Sequence, residues 1–264
     1  MKHIRQKLKL FFRLLASKLF PRSIIFKGPY ENWKSLEENN SYDSSRLKDR
    51  LFSQAQKVWD GKAKYERDGF IFNEIQRSWQ VSFSFSIINY HNKADSLNVL
   101  DFGGAYGSSY IENAFLEDLL NLKLMWNIVE LPSISKLGSE NFQTKSFKFY
   151  DDINKLDSHI DVVLFGSSIQ YIQDPYQLIT SILKKFSPRY LIFDRTGFSS
   201  KSNDEIFLQK VNMEYKASYP AWILSHSKFL DFFKYNNYEV LIDWDSIQIP
   251  HSNQKYKGLL LKKC

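Results

Sequence analysis

The chain has 264 residues, of which 43% are hydrophobic, 16% aromatic and 25% charged, and its formal net charge is +7. These proportions are those of a globular protein, and they exclude a disordered chain, a collagen-like repeat and a coiled coil. Residues 1–22 hold seven of the 36 Lys and Arg and no acid, so the remainder balances 29 basic against 29 acidic residues. A protein that binds nucleic acid through its phosphates needs a basic face on its folded domain, so the sequence disfavours a nucleic-acid partner.

Residues 1–22 have the pattern of an amphipathic basic helix. Apolar residues recur at steps of three and four, and most of the basic residues lie off that stripe. The longest uncharged stretch, 14–17, is far below the roughly 20 apolar residues that span a bilayer, and no small-residue cleavage site follows it. We expect this helix to bind the anionic inner face of the cytoplasmic membrane; packing against the rest of the protein is the alternative.

Cysteine and histidine are sparse. The single cysteine is Cys264, which excludes an internal disulfide and a CxxC metal knuckle and indicates a reducing, cytoplasmic setting. The five histidines show none of the short spacings that place two imidazoles on one metal, so we expect no metal site.

Residues 23–96 are predicted to form a helical cap or substrate lobe rich in aromatic side chains. Within this lobe, 81–87 alternates apolar residues with serine, which is typical of a strand, but the same segment also fits a helix. The helical face would comprise Trp79, Phe83, Ile87 and Tyr90. We predict the helix, because the segment precedes the first strand of a parallel sheet.

From residue 97 onward, short apolar runs alternate with helical stretches, as in a sheet covered on both faces. The runs are 97–102, 124–130, 146–150, 160–166 and 190–194. Asp174 followed by Pro175 predicts a helix start, with the carboxylate as its cap. Two later runs, 238–244 and 256–261, lack an intervening helix and predict an antiparallel hairpin. This α/β arrangement over 97–264 resembles the class I methyltransferase (Rossmann-like) sheet of mostly parallel strands.

Residues 98–110 predict a nucleotide-binding turn. The junction between a predicted strand and a predicted helix contains Gly103, Gly104, Ala105 and Gly107. Because glycine has no Cβ, the backbone there can approach a ligand closely. The spacing is not the GxGxxG of a dinucleotide site, and no GK[ST] of a P-loop follows. The turn therefore favours another nucleotide-like ligand.

Acidic residues at the strand ends identify that ligand as S-adenosylmethionine (SAM). Asp101 would repel a pyrophosphate but suits the cationic amino-acid end of SAM, and Glu130 is placed to accept both ribose hydroxyls. Asp151 or Asp152 would reach the adenine amino group, and Ser167 would line the floor of the cofactor site. The alternatives are a tight turn with a surface acid and, for Asp151 and Asp152, a solvated helix cap.

Six short motifs resemble a bacterial family of SAM-dependent methyltransferases that is often associated with surface-polysaccharide gene clusters. They are 65–68, 74–79, 100–104, 168–175, 192–196 and 217–222, and the resemblance covers about 28–263. It implies the class I fold with SAM as the cofactor, and it assigns no acceptor. Because of the association with surface polysaccharides, we expect O-methylation of a sugar or related small molecule. Residues 150–152, where the adenine contact is predicted, depart from the pattern of the family.

Four residues are candidates for the chemistry of methyl transfer. Gln170 and Tyr171 follow the fourth run, and Asp194 and Arg195 follow the fifth, at the sheet edge where parallel α/β proteins bind ligands. We predict that Asp194 is the base that takes the proton of a hydroxyl acceptor and that Arg195 orients an acidic or phosphorylated acceptor. The alternative is a structural ion pair between Asp194 and Arg195.

An aromatic wall with a few carboxylates suits a sugar ring, and residues outside the sheet would supply one. The predicted substrate-binding residues are Tyr65, Glu66, Asp68, Gln76, Trp79, Tyr219 and Trp222. For each aromatic residue taken alone, core packing is the alternative.

Two rival functions share parts of this pattern. Asp243 and Asp245 form a DxD pair of the kind that holds a metal-nucleotide in glycosyltransferases, but they lie in the predicted hairpin. A non-catalytic SAM-binding or scaffold protein would keep 101–107 and Glu130 while lacking a reactive group near the methyl. The sequence favours the enzyme, a SAM-dependent methyltransferase.

Overall fold

A computed structural model of the chain describes residues 24–39, 45–212, 215–246 and 254–264. The predicted basic helix at 1–22 lies outside the described residues. One compact unit contains the described residues of Met1–Tyr42 and Ile206–Pro220, and the other those of Asp43–Glu205 and Ala221–Cys264. Along the described part of the chain, none of the helices has the length and apolar character needed to cross a bilayer.

Helices and strands alternate through most of the described chain. The α-helices are α1 (Ser45–Trp59), α2 (Trp79–Asn92), α3 (Ser108–Asn113), α4 (Phe115–Leu120), α5 (Pro132–Asn141), α6 (Pro175–Phe186) and α7 (His226–Tyr235). The strands are β1 (Ile24–Tyr30), β2 (Tyr65–Arg67), β3 (Phe70–Phe72), β4 (Ser96–Phe102), β5 (Lys123–Val129), β6 (Phe147–Tyr150), β7 (Val162–Gly166), β8 (Tyr190–Ser199), β9 (Glu205–Asn212), β10 (Lys216–Ser225), β11 (Tyr238–Asp245) and β12 (Gln254–Lys263). Short 3-10 helices lie at Lys34–Asn39, Ile153–Lys155 and Ile169–Tyr171.

The first unit is built on strands that are far apart in the sequence. β1 pairs antiparallel with β9, so that Ile24 faces Val211 and Tyr30 faces Ile206, and β9 also neighbours β10. This division differs from the predicted one, in which 23–96 formed a helical cap. The pairing partner of β1 is about 180 residues away, and such a long-range pairing leaves no local pattern in the sequence.

The second unit contains a sheet in the order β6, β5, β4, β7, β8, β12, β11. The strands from β6 to β8 are parallel, β12 runs antiparallel beside β8, and β11 pairs antiparallel with β12. Counted from β4, this order is 3-2-1-4-5-7-6 with an antiparallel seventh strand. The predicted class I methyltransferase sheet with its terminal hairpin is therefore confirmed.

Helices cover both faces of this sheet. Phe85 of α2 packs on Trp126 of β5 at a ring distance of 5.6 Å, and Phe229 of α7 packs on Phe193 of β8 at 5.0 Å. Strands β4, β5, β7 and β8 are accordingly buried along most of their length. Pro175 begins α6 as predicted, but the side chain of Asp174 makes no capping hydrogen bond, which corrects that part of the prediction.

Helix α2 confirms that the segment 81–87 is helical, but the face opposite to the predicted one is buried. Trp79, Phe83 and Tyr90, expected on the packed face, are 63%, 58% and 75% exposed. The buried residues are Val81, Ser82, Ser84, Phe85 and Ile88. The two small serines bring the helix close to its neighbours, and Ser82 donates a hydrogen bond to Asn113 Oδ1 at 2.8 Å.

Candidate functional site

The candidate site lies at the carboxyl ends of the central parallel strands. Asp101 lies near the end of β4, Gly166 ends β7, and Gly166 pairs in register with Asp194 of β8. The chain runs from β4 through β5 to β6 on one side, and from β7 to β8 on the other. The crevice at such a point of reversal is where open α/β sheets bind ligands.

The turn after β4 needs glycine at two positions. Gly103 has a φ of +73°, and a Cβ there would lie 2.6 Å from Ser168 Cβ. A Cβ on Gly104 would lie 2.5 Å from Asp101 Oδ2. The backbone therefore packs directly on the Asp101 carboxylate and on Ser168, the second residue after β7, at a distance that no side chain permits.

Asp101 is a buried carboxylate that lacks one partner. It is 1% exposed, and Oδ2 accepts a hydrogen bond from Trp126 Nε1 at 3.1 Å. Oδ1 has no hydrogen-bond partner among the described residues. Burial raises the pKa of Asp101 to about 7, and the charges of Glu130 and Glu112 add to the shift. An unsatisfied buried carboxylate is costly unless a ligand completes it, and a cationic ligand fits it best.

Glu130 is bound directly to the turn. Its Oε1 accepts a hydrogen bond from the N–H of Ala105 at 3.2 Å, and its Oε2 accepts one from the N–H of Leu131 at 2.7 Å. The N–H of Gly103 donates to the carbonyl of Val129 at 2.9 Å. Burial raises the pKa of the Glu130 carboxyl. The turn and the acid after β5 therefore form one hydrogen-bonded piece.

Three further buried oxygens near this edge lack partners in the described part of the chain: Tyr106 Oη, Ser168 Oγ and Gln170 Oε1. Burial, with the charges of Glu130 and Glu66, raises the pKa of Tyr106 to about 12. The sequence predicted Gln170 as a site residue but not Tyr106 or Ser168. Tyr106 lies between Gly104 and Gly107 in the sequence, and Ser168 lies next to Gly103 in space. Buried polar atoms without partners are rare in folded proteins, and their clustering marks a ligand site.

Ser167 and Gln170 join the ends of β7 and β8. Ser167 has a φ of +67°, and its N–H donates to the carbonyl of Asp194 at 2.8 Å. Gln170 Nε2 donates to Ser167 Oγ and to the carbonyl of Arg195, each at 3.1 Å. Tyr171 ends the same 3-10 helix and is half-buried.

Asp194 and Arg195 form a β-bulge. Thr196 pairs with Lys257 and Phe193 with Leu259, so Asp194 and Arg195 together stand opposite a single residue of β12, Gly258. Bulges are frequent beside active sites, where they redirect side chains. Nothing in the local sequence predicts this one.

Both oxygens of Asp194 are engaged. Oδ2 accepts from Arg195 Nη1 at 2.9 Å, and Oδ1 accepts from Trp244 Nε1 and Ser246 Oγ at 3.1 Å each. These contacts match the structural ion pair that was the alternative for this residue. The role of Asp194 as the base stays a prediction.

Asp151 and Asp152 are exposed and have local partners. Asp151 pairs with Lys155 Nζ at 2.8 Å, and this hydrogen bond lowers the pKa of Asp151. Asp152 Oδ1 accepts from the N–H of Asn154 at 2.8 Å at the start of a 3-10 helix. These are the contacts of the alternative, a solvated helix cap, and the adenine contact stays a prediction.

Among the predicted substrate residues, Glu66 is the one that hydrogen bonds connect to the glycine turn. It is buried, its Oε1 accepts from the N–H of Gly69 at 2.7 Å, and its Oε2 accepts from Ser108 Oγ at 3.3 Å, directly after Gly107. Burial raises the pKa of Glu66 to about 7.

The other predicted substrate residues occupy varied positions. Tyr65 is fully buried and donates to Glu112 Oε1, so it packs in the interior and offers a ligand no surface. Asp68, Gln76 and Trp79 are exposed. Trp222 Nε1 donates to the carbonyls of Ile172 and Gln173 at 3.0 and 3.2 Å. Tyr219 lies in the first unit, where its hydroxyl accepts from Gln209 Nε2 at 3.3 Å.

The DxD pair of the rival function is an ion-pair site. Lys257 Nζ of β12 lies 3.0 Å from Asp243 Oδ2 and 3.3 Å from Asp245 Oδ1 of β11. An ammonium group thus occupies the position between the two carboxylates. In the part of the chain that the structure describes, no three His, Cys, Asp or Glu side chains are grouped to hold a metal ion.

No family model matches the chain, and no curated protein matches it. Solved structures similar to it include a SAM-dependent methyltransferase from Clostridium acetobutylicum ATCC 824, at 12% identity over 81% of this chain and 98% of that one, with a TM-score of 0.44. The N-terminal domain of EvdMO1, solved in the presence of SAH and D-fucose, matches at 12% identity over 85% and 99%, with a TM-score of 0.49. The SAM-bound magnesium protoporphyrin IX methyltransferase ChlM of Synechocystis PCC 6803 matches at 11% over 90% and 100%, with a TM-score of 0.48. The fold of this chain follows from its own strand order.

Proposed function

We propose that this protein is a SAM-dependent methyltransferase. The observation that carries the proposal is the buried Asp101 carboxylate, whose Oδ1 lacks a partner beneath a turn in which Gly104 leaves no room for a side chain. A carboxylate in this position attracts a cation, and SAM carries positive charge on its sulfonium and its ammonium. The strand order of the sheet and the placement of Glu130 support the same ligand.

The residues at the strand ends fit distinct parts of SAM. Asp101 is assigned to the cationic amino-acid end, directly or through water, and Glu130 to the ribose hydroxyls, where a carboxylate accepts two hydrogen bonds. Ser167, Ser168 and Gln170 line the floor. SAM supplies an electrophilic methyl group, so the protein chiefly aligns the acceptor with it and removes a proton from the acceptor.

The acceptor that we propose is a sugar or related small molecule, O-methylated during the synthesis of a bacterial surface polysaccharide. The association of the resembling family with surface-polysaccharide gene clusters supports this assignment. Glu66 is a buried carboxylate beside the turn, and each of its oxygens already accepts one hydrogen bond, so a sugar hydroxyl would be a further donor to it. Labelling of glycan and lipid-linked extracts with radioactive SAM tests the acceptor class, and labelling confined to protein or nucleic acid would contradict it.

Calorimetric titration with SAM at several pH values tests the cofactor assignment. A bound cation lowers the pKa of Asp101 below its free value of about 7, so binding releases a proton at lower pH. The affinity is therefore expected to rise by up to about tenfold per pH unit as the pH increases toward 7, and to level off above it.

Two matched variants of buried carboxylates identify the group responsible. Asp101→Asn should weaken SAM binding and remove the pH dependence, whereas Glu66→Gln, which alters the other carboxyl with a pKa raised to about 7, should keep it. An Asp101→Asn variant with unchanged affinity and slope would contradict the assignment. So would preferential binding of a nucleotide sugar.

We also propose that residues 1–22 bring the enzyme to the cytoplasmic face of the membrane. The seven cations of this segment supply any attraction to anionic lipid, at about 1 kcal/mol each near the surface. The full chain should sediment with anionic vesicles and hardly with neutral ones. Replacing Lys7, Lys9 and Arg13 by glutamate in the full chain should abolish sedimentation, and unchanged sedimentation would overturn the proposal.

A non-catalytic SAM-binding protein is the second candidate. It is favoured by the three donors on Asp194, which engage both of its oxygens in structural contacts. The two candidates differ in turnover: the enzyme converts SAM to S-adenosylhomocysteine (SAH) in the presence of an acceptor extract, and a binding protein does not.

A further inference from the structure

The backbone and the side chain of Arg195 both make defined contacts. Its backbone has a φ of +51° in the bulge, and its carbonyl accepts from Gln170 Nε2. Nη1 donates to Asp194, which is itself fixed by Trp244 and Ser246 of the terminal hairpin. The side chain is 17% exposed, so the guanidinium is ordered and largely buried but still reaches solvent.

The guanidinium borders an open position above Gly166, the last residue of β7. A Cβ placed on Gly166 would have two neighbours within 4 Å, Ser109 Oγ at 3.4 Å and Arg195 Nη2 at 3.7 Å. Neither Ser109 Oγ nor Arg195 Nη2 has a hydrogen-bond partner among the described residues. The end of β7 therefore forms a notch, with Gly166 as its floor and a hydroxyl and a guanidinium as its sides.

The chemistry of this notch suits an anion. A guanidinium presents its nitrogens in a planar fork that matches the oxygens of a carboxylate or a phosphate, and a serine hydroxyl adds a further donor. The carboxylate of Asp194 accepts from Nη1 of Arg195, and its other oxygen accepts from Trp244 and Ser246. Nη2 of Arg195 is therefore available to donate to a bound anion. The positive charge of Arg195 also acts on Asp101, where it opposes the rise in pKa.

We infer that Ser109, Gly166 and Arg195 form a subsite for a carboxylate or phosphate group of the methyl acceptor. The inference rests on the proposed function and names its substrate class: an acidic or phosphorylated sugar rather than a neutral one. Within this subsite Asp194, Trp244 and Ser246 position Arg195; the role of Asp194 as the base is a separate prediction. The notch lies at the strand ends beside the proposed cofactor floor, so an acceptor anchored there is held next to the cofactor.

Titration of the full chain, saturated with SAH, tests the subsite by ligand-observed NMR. The probes are glucuronic acid and glucose 6-phosphate, with glucose as the neutral control. We expect at least one anionic sugar to bind at least about tenfold more tightly than glucose, and inorganic phosphate to compete with it. The two anionic probes distinguish a carboxylate subsite from a phosphate subsite.

Three variants locate the binding. Gly166→Ala places a methyl group in the notch at ordinary contact distances, so the protein should fold and lose about tenfold or more in affinity for the anionic probe. Arg195→Ala should lose at least as much. Arg189→Ala removes an exposed arginine elsewhere and should change nothing. All three should bind SAH within about threefold of the wild type, since none removes a proposed cofactor contact.

The outcomes separate this inference from the proposed function. If the wild type binds SAH but binds anionic sugars no better than glucose, the subsite is refuted and the cofactor assignment stands. If Arg195→Ala weakens SAH binding tenfold or more, Arg195 belongs to the cofactor site and the inference is overturned. If the wild type binds no SAH, the proposed function fails, and the same titration without SAH still decides whether the notch binds anions.

Discussion

Replacing Glu112 with alanine is expected to lower the free energy of unfolding by about 3 to 5 kcal/mol, as breaking a buried ion pair does. The Glu112 carboxylate is buried and accepts from Tyr65 Oη, from Arg67 Nη2 at 2.9 Å and from the N–H of Ser78 at 3.2 Å. Its removal leaves the guanidinium of Arg67, which is only 21% exposed, without a counterion. The total free energy of unfolding of a folded domain is about 5 to 15 kcal/mol, so the variant would be only marginally stable.

Urea unfolding of matched variants measures this effect. Glu140→Ala, at an exposed helix position, is the control and should cost under about 0.5 kcal/mol. The double variant Arg67→Met with Glu112→Leu should recover much of the loss, because it leaves no unpaired charge in the interior. A Glu112→Ala variant within about 1 kcal/mol of the wild type would show that the network contributes little to stability.

Asp194→Asn is expected to slow methyl transfer by about a hundredfold or more, the usual scale for loss of a general base. In the wild type, Asp194 Oδ2 lies 2.9 Å from Arg195 Nη1. Asparagine keeps an oxygen for Trp244 and Ser246 but places its amide NH2 group next to Arg195 Nη1. The rate is measured with labelled SAM and an acceptor extract, and SAM affinity should be retained. A rate within a few fold of the wild type would move the role of base to Asp68 or Glu66.

A double-mutant cycle with Arg195→Ala separates the two roles of Asp194. If Asp194 acts only by orienting Arg195, the two substitutions share one interaction, and the double variant should be no slower than Arg195→Ala alone. If Asp194 accepts the proton, its substitution should lower the rate of methyl transfer by a further large factor in the Arg195→Ala background. The acceptor KM separates them as well, because a positioning role acts first on acceptor binding.

The parallel sheet was predictable because each of its strands carries its own signal. Runs of β-branched and aromatic residues between helical stretches predicted β4 to β8 and the β11–β12 hairpin, all of which the structure contains. The glycine turn was predictable for a similar reason. Its acid and its glycines are contiguous in the sequence, at 101–107, so no long-range contact is needed to recognise it. Asp101, Gly103 and Glu130 therefore meet where strand order places them.

The remaining features depend on contacts that the sequence does not show. Helix α2 buries its serine-containing face rather than its aromatic one, and Ser82 on that face bonds to Asn113 of helix α3, a contact between residues 31 positions apart. The bulge at Asp194 and Arg195 exists only in the register between β8 and β12. The acids at 243 and 245 look like a metal site until Lys257 is placed between them by strand pairing.

The position of β12 has a consequence for biosynthesis. Among the strands that the structure describes, β12 comes last in sequence, yet it lies inside the sheet, between β8 and β11. Until residues 254–263 leave the ribosome, β8 has an open edge, and that edge carries buried side chains such as Leu191, Ile192 and Phe193. An apolar strand with an unpaired edge promotes association with other chains. Nascent or truncated chains that lack β12 are therefore exposed to aggregation and to chaperone binding, and the Arg195 bulge can form only after translation has passed this last strand.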